Sequence, residues 1–172
     1  VSLGEALRAS LDSVLRGIVA GYDTLAWLGA KERVARAMIA RGVRTSPTLG
    51  TVGAAAAASV VLRLDAAQAV NAMGIASSMT GGVLEPVAVG SDEWRIQNAH
   101  AARGGLLAAQ LAQRGVVGAP HGLEGPQGLL RALAGLDSIP PEWHVDPNVA
   151  AIVGAVAKPW ATLGDNIAAA AA

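Results

Sequence analysis

Two short runs of this chain carry side chains able to do chemistry. The first is Gly42-Val43-Arg44-Thr45-Ser46-Pro47-Thr48-Leu49-Gly50-Thr51-Val52-Gly53-Ala54-Ala55. A polar turn there feeds directly into an apolar helix. Free N–H groups at the helix start, together with Arg44, Thr45, Ser46 and Thr48, could hold a carboxylate. The plainer alternative is that Ser46 or Thr48 only caps the helix and that Gly50 and Gly53 permit close packing. The second run is Ser91-Asp92-Glu93-Trp94-Arg95-Ile96-Gln97-Asn98-Ala99-His100-Ala101-Ala102-Arg103. On a helix, Glu93, Gln97 and His100 share one stripe, with Arg103 one turn beyond His100. An imidazole flanked by a carboxylate and a guanidinium can act as a general acid or base. The alternative is a solvated or interface face with ordinary ion pairing.

Other candidates are weaker. His121 and Glu124 stand in a Gly/Pro loop, and His144 follows Glu142 and Trp143, so each reads as a structural loop residue. No two histidines have a helical metal spacing, and no phosphate loop, nucleophile elbow or paired-carboxylate motif is present. Gly50 and Gly53 lie in an apolar helix with no preceding strand, which excludes a dinucleotide fingerprint. Absence of cysteine excludes disulfides, zinc–thiolate sites and a Cys nucleophile.

The elements that must position these runs are helical. Leu3, Leu7, Leu11, Val14, Leu15, Ile18, Tyr22 and Leu25 recur at helical spacing and predict one helix over Leu3–Leu28, opened by a Ser2/Glu5 capping box. A second amphipathic helix is expected over Lys31–Arg41, stopped by Gly42. After a polar break at Arg44–Pro47, a third runs over Thr48–Arg63 and is apolar on all sides, hence buried. Asp65 caps a fourth, to Met79. Val83–Gly90 reads as an apolar loop. Ser91 caps a fifth helix, Asp92–Arg114, stopped by Gly115. Beyond a Gly/Pro-rich loop come a short helix over Pro126–Ala134 and a connector, Leu136–Val145. Asp146–Pro147 opens a helix to Ala157, and Asp165 is a possible cap in the alanine-rich tail. No strand with period-two alternation is found.

The chain has 172 residues, the size of one domain, and 52% are hydrophobic. With no Phe, one Tyr and four Trp, the core volume must come from Ala, Leu, Val and Ile. The expected fold is therefore an all-α bundle of about seven Ala-rich helices, a single helical domain over 1–172. The net charge is zero, which excludes the clustered basic excess of a nucleic-acid binder. The longest charge-free apolar stretch, Leu49–Leu62, is shorter than the roughly 20 residues of a membrane span. No signal-peptide pattern opens the chain, and a cytoplasmic location is expected. The first residue is Val rather than Met, as in a fragment.

Read in order, several segments resemble the MmgE/PrpD family. Gly21-Tyr22-Asp23 resembles the family's Gly-Tyr-Glu. Gly42–Ala55 is similar to its Gly-aromatic-His-Pro-Thr-Gly-Thr turn and following helix. Leu64-Asp65 through Asn71-Ala72-Met73-Gly74-Ile75-Ala76 resembles Leu-Asp…Asn-Ala-Leu-Gly-Ile-Ala. Asn98–Gly105 resembles the Gly-x-Ala-Ala helix, Leu123-Glu124-Gly125 its Leu-Glu-Gly, and Lys158-Pro159-Trp160 its Lys-Pro-Tyr. The ordered matches run over about residues 15–162.

The resemblance implies cofactor-free enzymes acting on small polycarboxylates, such as 2-methylcitrate dehydratase and cis-aconitate decarboxylase. It also implies a helical domain paired with an α+β lid, usually in a dimer. The family's His falls on Arg44, its Lys near Trp94 and its lid His near Leu163. Its Asp/His segment would fall upstream of Val1 and its lid beyond Ala172, so the expected fold is the helical domain without the lid. Arginine cannot serve as a base near neutral pH, but it binds carboxylates bidentately.

Three functions follow as expectations. The first is a lyase-like protein using His100 and Trp94 as catalytic residues and Arg44, Thr45, Ser46, Thr48, Arg95, Gln97 and Arg103 to bind substrate, with no cofactor and no metal. The second is a helical pocket turned to cyclisation or isomerisation in specialised metabolism. The third is a non-catalytic oligomerising or binding module. In each a homodimer, or a partner chain over the lid face, is expected to cover exposed apolar surface.

Overall fold

The computed structural model describes residues 1–143 and 149–155. Seven α-helices are present among them: α1 (Ser2–Ala6), α2 (Leu11–Gly29), α3 (Arg33–Ala40), α4 (Thr45–Val61), α5 (Ala66–Ser78), α6 (Glu85–Val89) and α7 (Trp94–Gln113). No strand is formed among the described residues; a single antiparallel bridge joins Val43 to Val83. The fold is all-α, as the composition required. No helix among the described residues is long and apolar enough to cross a membrane.

Helix α4 is the axis of the molecule. It packs between α2 and α7, and α5 rests on both α4 and α7. No residue from 47 to 62 is exposed, as expected of a helix apolar all round. Its buried hydroxyls are satisfied within the helix: Thr51 donates to the Pro47 carbonyl at 2.9 Å and Ser59 to the Ala55 carbonyl at 2.7 Å. Small residues set the helix spacing. Ala55, Ala72, Ala76, Ala108 and Ala109 have no exposed surface, and the larger core side chains are Leu28, Val34, Met38 and Val52.

Several helix boundaries differ from those expected. The single helix expected over Leu3–Leu28 is two. Arg8 takes a left-handed φ of 50°, and Ser10 accepts a hydrogen bond from the Ser13 amide at 3.2 Å to start α2. The leucine spacing continues in phase across this break and so conceals it. The Ser2/Glu5 capping box does not form, because Val1 is the N-cap of α1. Helix α4 begins at Thr45, ahead of the expected start, with Pro47 in the first turn where an amide hydrogen is not needed. The segment read as an apolar loop contains α6, with Pro86 near its start. Glu93, not Ser91, is the N-cap of α7.

The helix expected over Pro126–Ala134 is reduced to a π-helical turn, Leu130–Ala134. Of the helix expected after Asp146–Pro147, residues 149–155 are described and hold only a 3-10 turn, Ala151–Gly154. Residues 144–148, Lys158-Pro159-Trp160 and Asp165 lie outside the described residues. The expected helix stops at Gly42 and Gly115 are present, with φ of 75° and 87°.

Asp65 does cap α5, and the box is reciprocal. Its carboxylate accepts from the Gln68 amide at 2.8 Å, and its own amide donates to the Gln68 side chain at 3.1 Å. Asp65→Ala is expected to lower stability by about 1 kcal/mol, readable as a shifted urea midpoint at constant slope.

The segment after the π-helical turn is strapped across α2 and α3. The Trp27 and Trp143 rings stand 4.4 Å apart, and the Trp27 indole N–H donates to the Trp143 carbonyl at 2.7 Å. Arg33 pairs with Glu142 at 3.0 Å, and the Ala151 amide donates to Asp23 at 2.6 Å. The Glu142 carboxyl is held below its ordinary value of 4.5 by its own backbone amide above all, and also by Arg33 and Lys31, against partial desolvation. A lowered folded-state pKa makes this contribution complete above about 4.5 and loses it as pH falls through the folded value. Tryptophan emission from the strap is therefore expected to stay constant from pH 7 to 5 and to change below about pH 4.5. In Glu142→Gln the emission should lose this acid step.

Candidate functional site

Arg44 is the hinge of the site. As the N-cap of α4 its backbone is extended, with φ −78° and ψ 116°. Its amide donates to the Gly82 carbonyl, and the Leu84 amide donates to the Gly42 carbonyl, both at 2.8 Å. These bonds stitch the 42–44 turn to the 82–84 segment and carry the Arg44 side chain to the start of α7. There its Nη1 donates to the Trp94 carbonyl at 2.6 Å and to Gln97 Oε1 at 2.7 Å. The amide end of Gln97 donates in turn to the Val83 carbonyl at 3.2 Å. The guanidinium carbons of Arg44 and Arg95 each lie 5.6 Å from the centre of the Trp94 ring, close enough for cation–π attraction. One arginine thus clamps three segments that are distant in sequence.

Beside this clamp lies an open groove of about 520 Å³. Its walls are Gly81 and Gly82 on one side and, on the other, Glu93 at the N-cap of α7 with Ile96, Gln97, His100 and Arg103 of that helix. The predicted stripe of Glu93, Gln97, His100 and Arg103 therefore faces one space. In the sequence, Gly81–Gly82 reads only as the stop of the helix that Asp65 opens. Gly82 must pass over the first turn of α4, where an added Cβ would lie 2.6 Å from Pro47 Cγ, and this close approach is what a Gly-Gly pair can signal.

The predicted binding residues do not all gather here. Gln97, His100 and Arg103 line the groove; Arg44 and Trp94 brace its wall. Arg95 pairs with Asp92 at 3.2 Å on the exposed side. Thr45 and Ser46 line a different hollow, between α2, α3 and α4. Thr48 has no exposed surface and donates its hydroxyl to the Arg44 carbonyl at 2.7 Å. It therefore neither reaches a groove nor caps α4, which has no side-chain cap at all. Consecutive residues of a helical turn point about 100° apart, so residues 44–48 cannot serve one face.

Of the other histidine and carboxylate candidates, Glu142 pairs with Arg33, His144 lies outside the described residues, and His121 and Glu124 form a local pair. His121 Nδ1 lies 2.7 Å from Glu124, and Arg131 pairs with Asp137 across the neighbouring turn. Among the described residues, no three His, Asp or Glu side chains gather closely enough to hold a metal ion.

Residues 1–142 match the family model of the MmgE/PrpD N-terminal domain. The match begins earlier than the resemblance seen in the sequence motifs and ends before Lys158-Pro159-Trp160. A cis-aconitate decarboxylase-like protein of Aspergillus oryzae is 36% identical over 104 residues, 60% of this chain and 21% of that protein. The chain spans about a fifth of the length of this curated relative.

Proposed function

From the premise that this chain belongs to the MmgE/PrpD family, we propose that it serves lyase-type chemistry on a small polycarboxylate held in the groove between α7 and Gly81–Gly82. One observation carries this reading: His100 and Arg103 line one groove, whose Gln97 wall is locked by Arg44. Arg103 supplies the bidentate donor for a substrate carboxylate. The His100 imidazole takes the proton from the carbon next to that carboxylate. The electron pair of that C–H bond forms the new double bond, and the hydroxyl on the neighbouring carbon leaves with the C–O pair. The imidazolium returns its proton to that hydroxyl, releasing water. Arg44 cannot be a base; it fixes Gln97 and adds positive potential at the groove edge.

The groove is open, and Val83 and Ile96 beside it are 62% and 66% exposed. An apolar rim of this kind supports a covering surface, which we assign to a second copy of the chain. Sedimentation at micromolar concentration should give a dimer; a monomer throughout would remove this part of the reading.

Calorimetric titration with citrate, cis-aconitate and 2-methylcitrate tests the ligand class. At least one should bind saturably, and Arg103→Ala should weaken it by about tenfold or more, the loss of one charge-assisted contact of roughly 1.5–3 kcal/mol. Absence of binding by all three, or unchanged affinity in Arg103→Ala, would remove the groove from the reading.

A further inference from the structure

We propose that the hollow between α2, α3 and the first turn of α4 is a second binding site, for an aliphatic monocarboxylate. It goes beyond the polycarboxylate reading and uses none of the same residues. The hollow measures about 570 Å³, within the usual range for small-molecule sites. Leu25 and Ala26 of α2 and Ala35 of α3 form its walls, and Leu49, only 5% exposed, forms its floor.

Charge at its rim is one-sided. Glu32 is neutralised by Arg36 at 2.7 Å. Lys31, on the same rim, forms no ion pair among the described residues. The hydroxyls of Thr45 and Ser46 stand on the α4 side. An apolar trough with two hydroxyls and one ammonium that has no direct ion pair among the described residues, acting on Glu142 only at longer range, complements a single carboxylate on an alkyl chain. A polycarboxylate would leave its remaining charges against apolar walls without partners, which is costly.

The backbone at this rim is unusual in a way that supports a built site. Ala30, Lys31 and Glu32 have φ of 47°, 48° and 74°, three successive non-glycine residues in the left-handed region. Each such residue is strained and persists only where its surroundings hold it. The strain sets Lys31 on the trough at the α2–α3 corner, where a glycine would have relieved it.

Octanoate, with octanol as its uncharged counterpart, tests this by calorimetry and ligand-detected NMR on the full chain. Octanoate should bind saturably at one site. Lys31→Met should weaken it about fivefold, the value of one exposed ion pair near 1 kcal/mol, and leave octanol unchanged. Ala35→Trp should fill the trough and abolish both, with helicity checked by circular dichroism. Arg103→Ala should have no effect, and citrate should not compete. Lack of saturable octanoate binding, or equal affinity in Lys31→Met, overturns the second site. So does displacement of octanoate by citrate. Citrate binding lost in Arg103→Ala with octanoate binding intact separates failure of one site from failure of the other.

Discussion

Gly105→Val is expected to unfold the chain at temperatures where the wild type is folded. Gly105 lies on α7 at its crossing with α4. A Cβ added there would collide with the Thr51 carbonyl oxygen and lie 2.6 Å from both the Ala54 Cβ and the Ala55 amide nitrogen. Two of these three are backbone atoms of α4, which cannot rotate aside as the end of a long side chain can. The helices would have to separate. That separation strips the contacts of Ala101, Ala108, Ala109 and Ala112, all nearly or fully buried along the same helix. Overpacking costs about 1–3 kcal/mol for a methyl group, and more for valine, against a typical total of about 5–15 kcal/mol. Gly105→Ala should therefore lower Tm by several degrees and Gly105→Val by much more, read by thermal circular dichroism. Gly29→Ala is the control. A Cβ there meets nothing within 4 Å, so the change should be neutral or slightly stabilising. An unchanged Tm in Gly105→Ala would show that α4 and α7 do not depend on this close approach.

His100→Gln is expected to lower turnover of a polycarboxylate substrate by about 10²–10⁴-fold, the usual contribution of a positioned general acid or base. Glutamine retains much of the side chain's volume and hydrogen-bonding capacity but cannot take a proton. Because Arg103 holds the carboxylate in the proposed arrangement, substrate affinity should stay nearly constant. Arg103→Ala should behave in the opposite way, with affinity falling first. Single-turnover measurements alongside calorimetry separate the two. Full turnover in His100→Gln would leave the groove as a binding surface and move proton transfer to another residue.

Much of the fold was legible in the chain. The apolar stretch after Thr48 could only be a buried helix, since no charged residue interrupts it from Leu49 to Leu62. Asp65 marked the start of α5, and Gly42 and Gly115 marked helix ends, because capping is a matter of a few adjacent residues. The break between α1 and α2 was not legible. Leu7 and Leu11 stay in helical phase whether or not the chain is helical between them, and the left-handed Arg8 carries no glycine to announce it. Start points also shifted, at α4 and α7, because several neighbouring polar residues could each have been the cap.

The candidate site divides in the same manner. Helical spacing alone put Glu93, Gln97, His100 and Arg103 on one stripe, since a 3.6-residue period is a local property. It could not say what that stripe faces. Gly81–Gly82 supplies the opposite wall, and Arg44 reaches Trp94 and Gln97 across fifty residues and more of chain. The same packing turned Thr45 and Ser46 toward α2 and α3, and buried Thr48. Periodicity and caps depend on neighbours in the chain; a groove depends on which helix faces meet, and here that was set by how closely small residues let α2 and α7 approach α4.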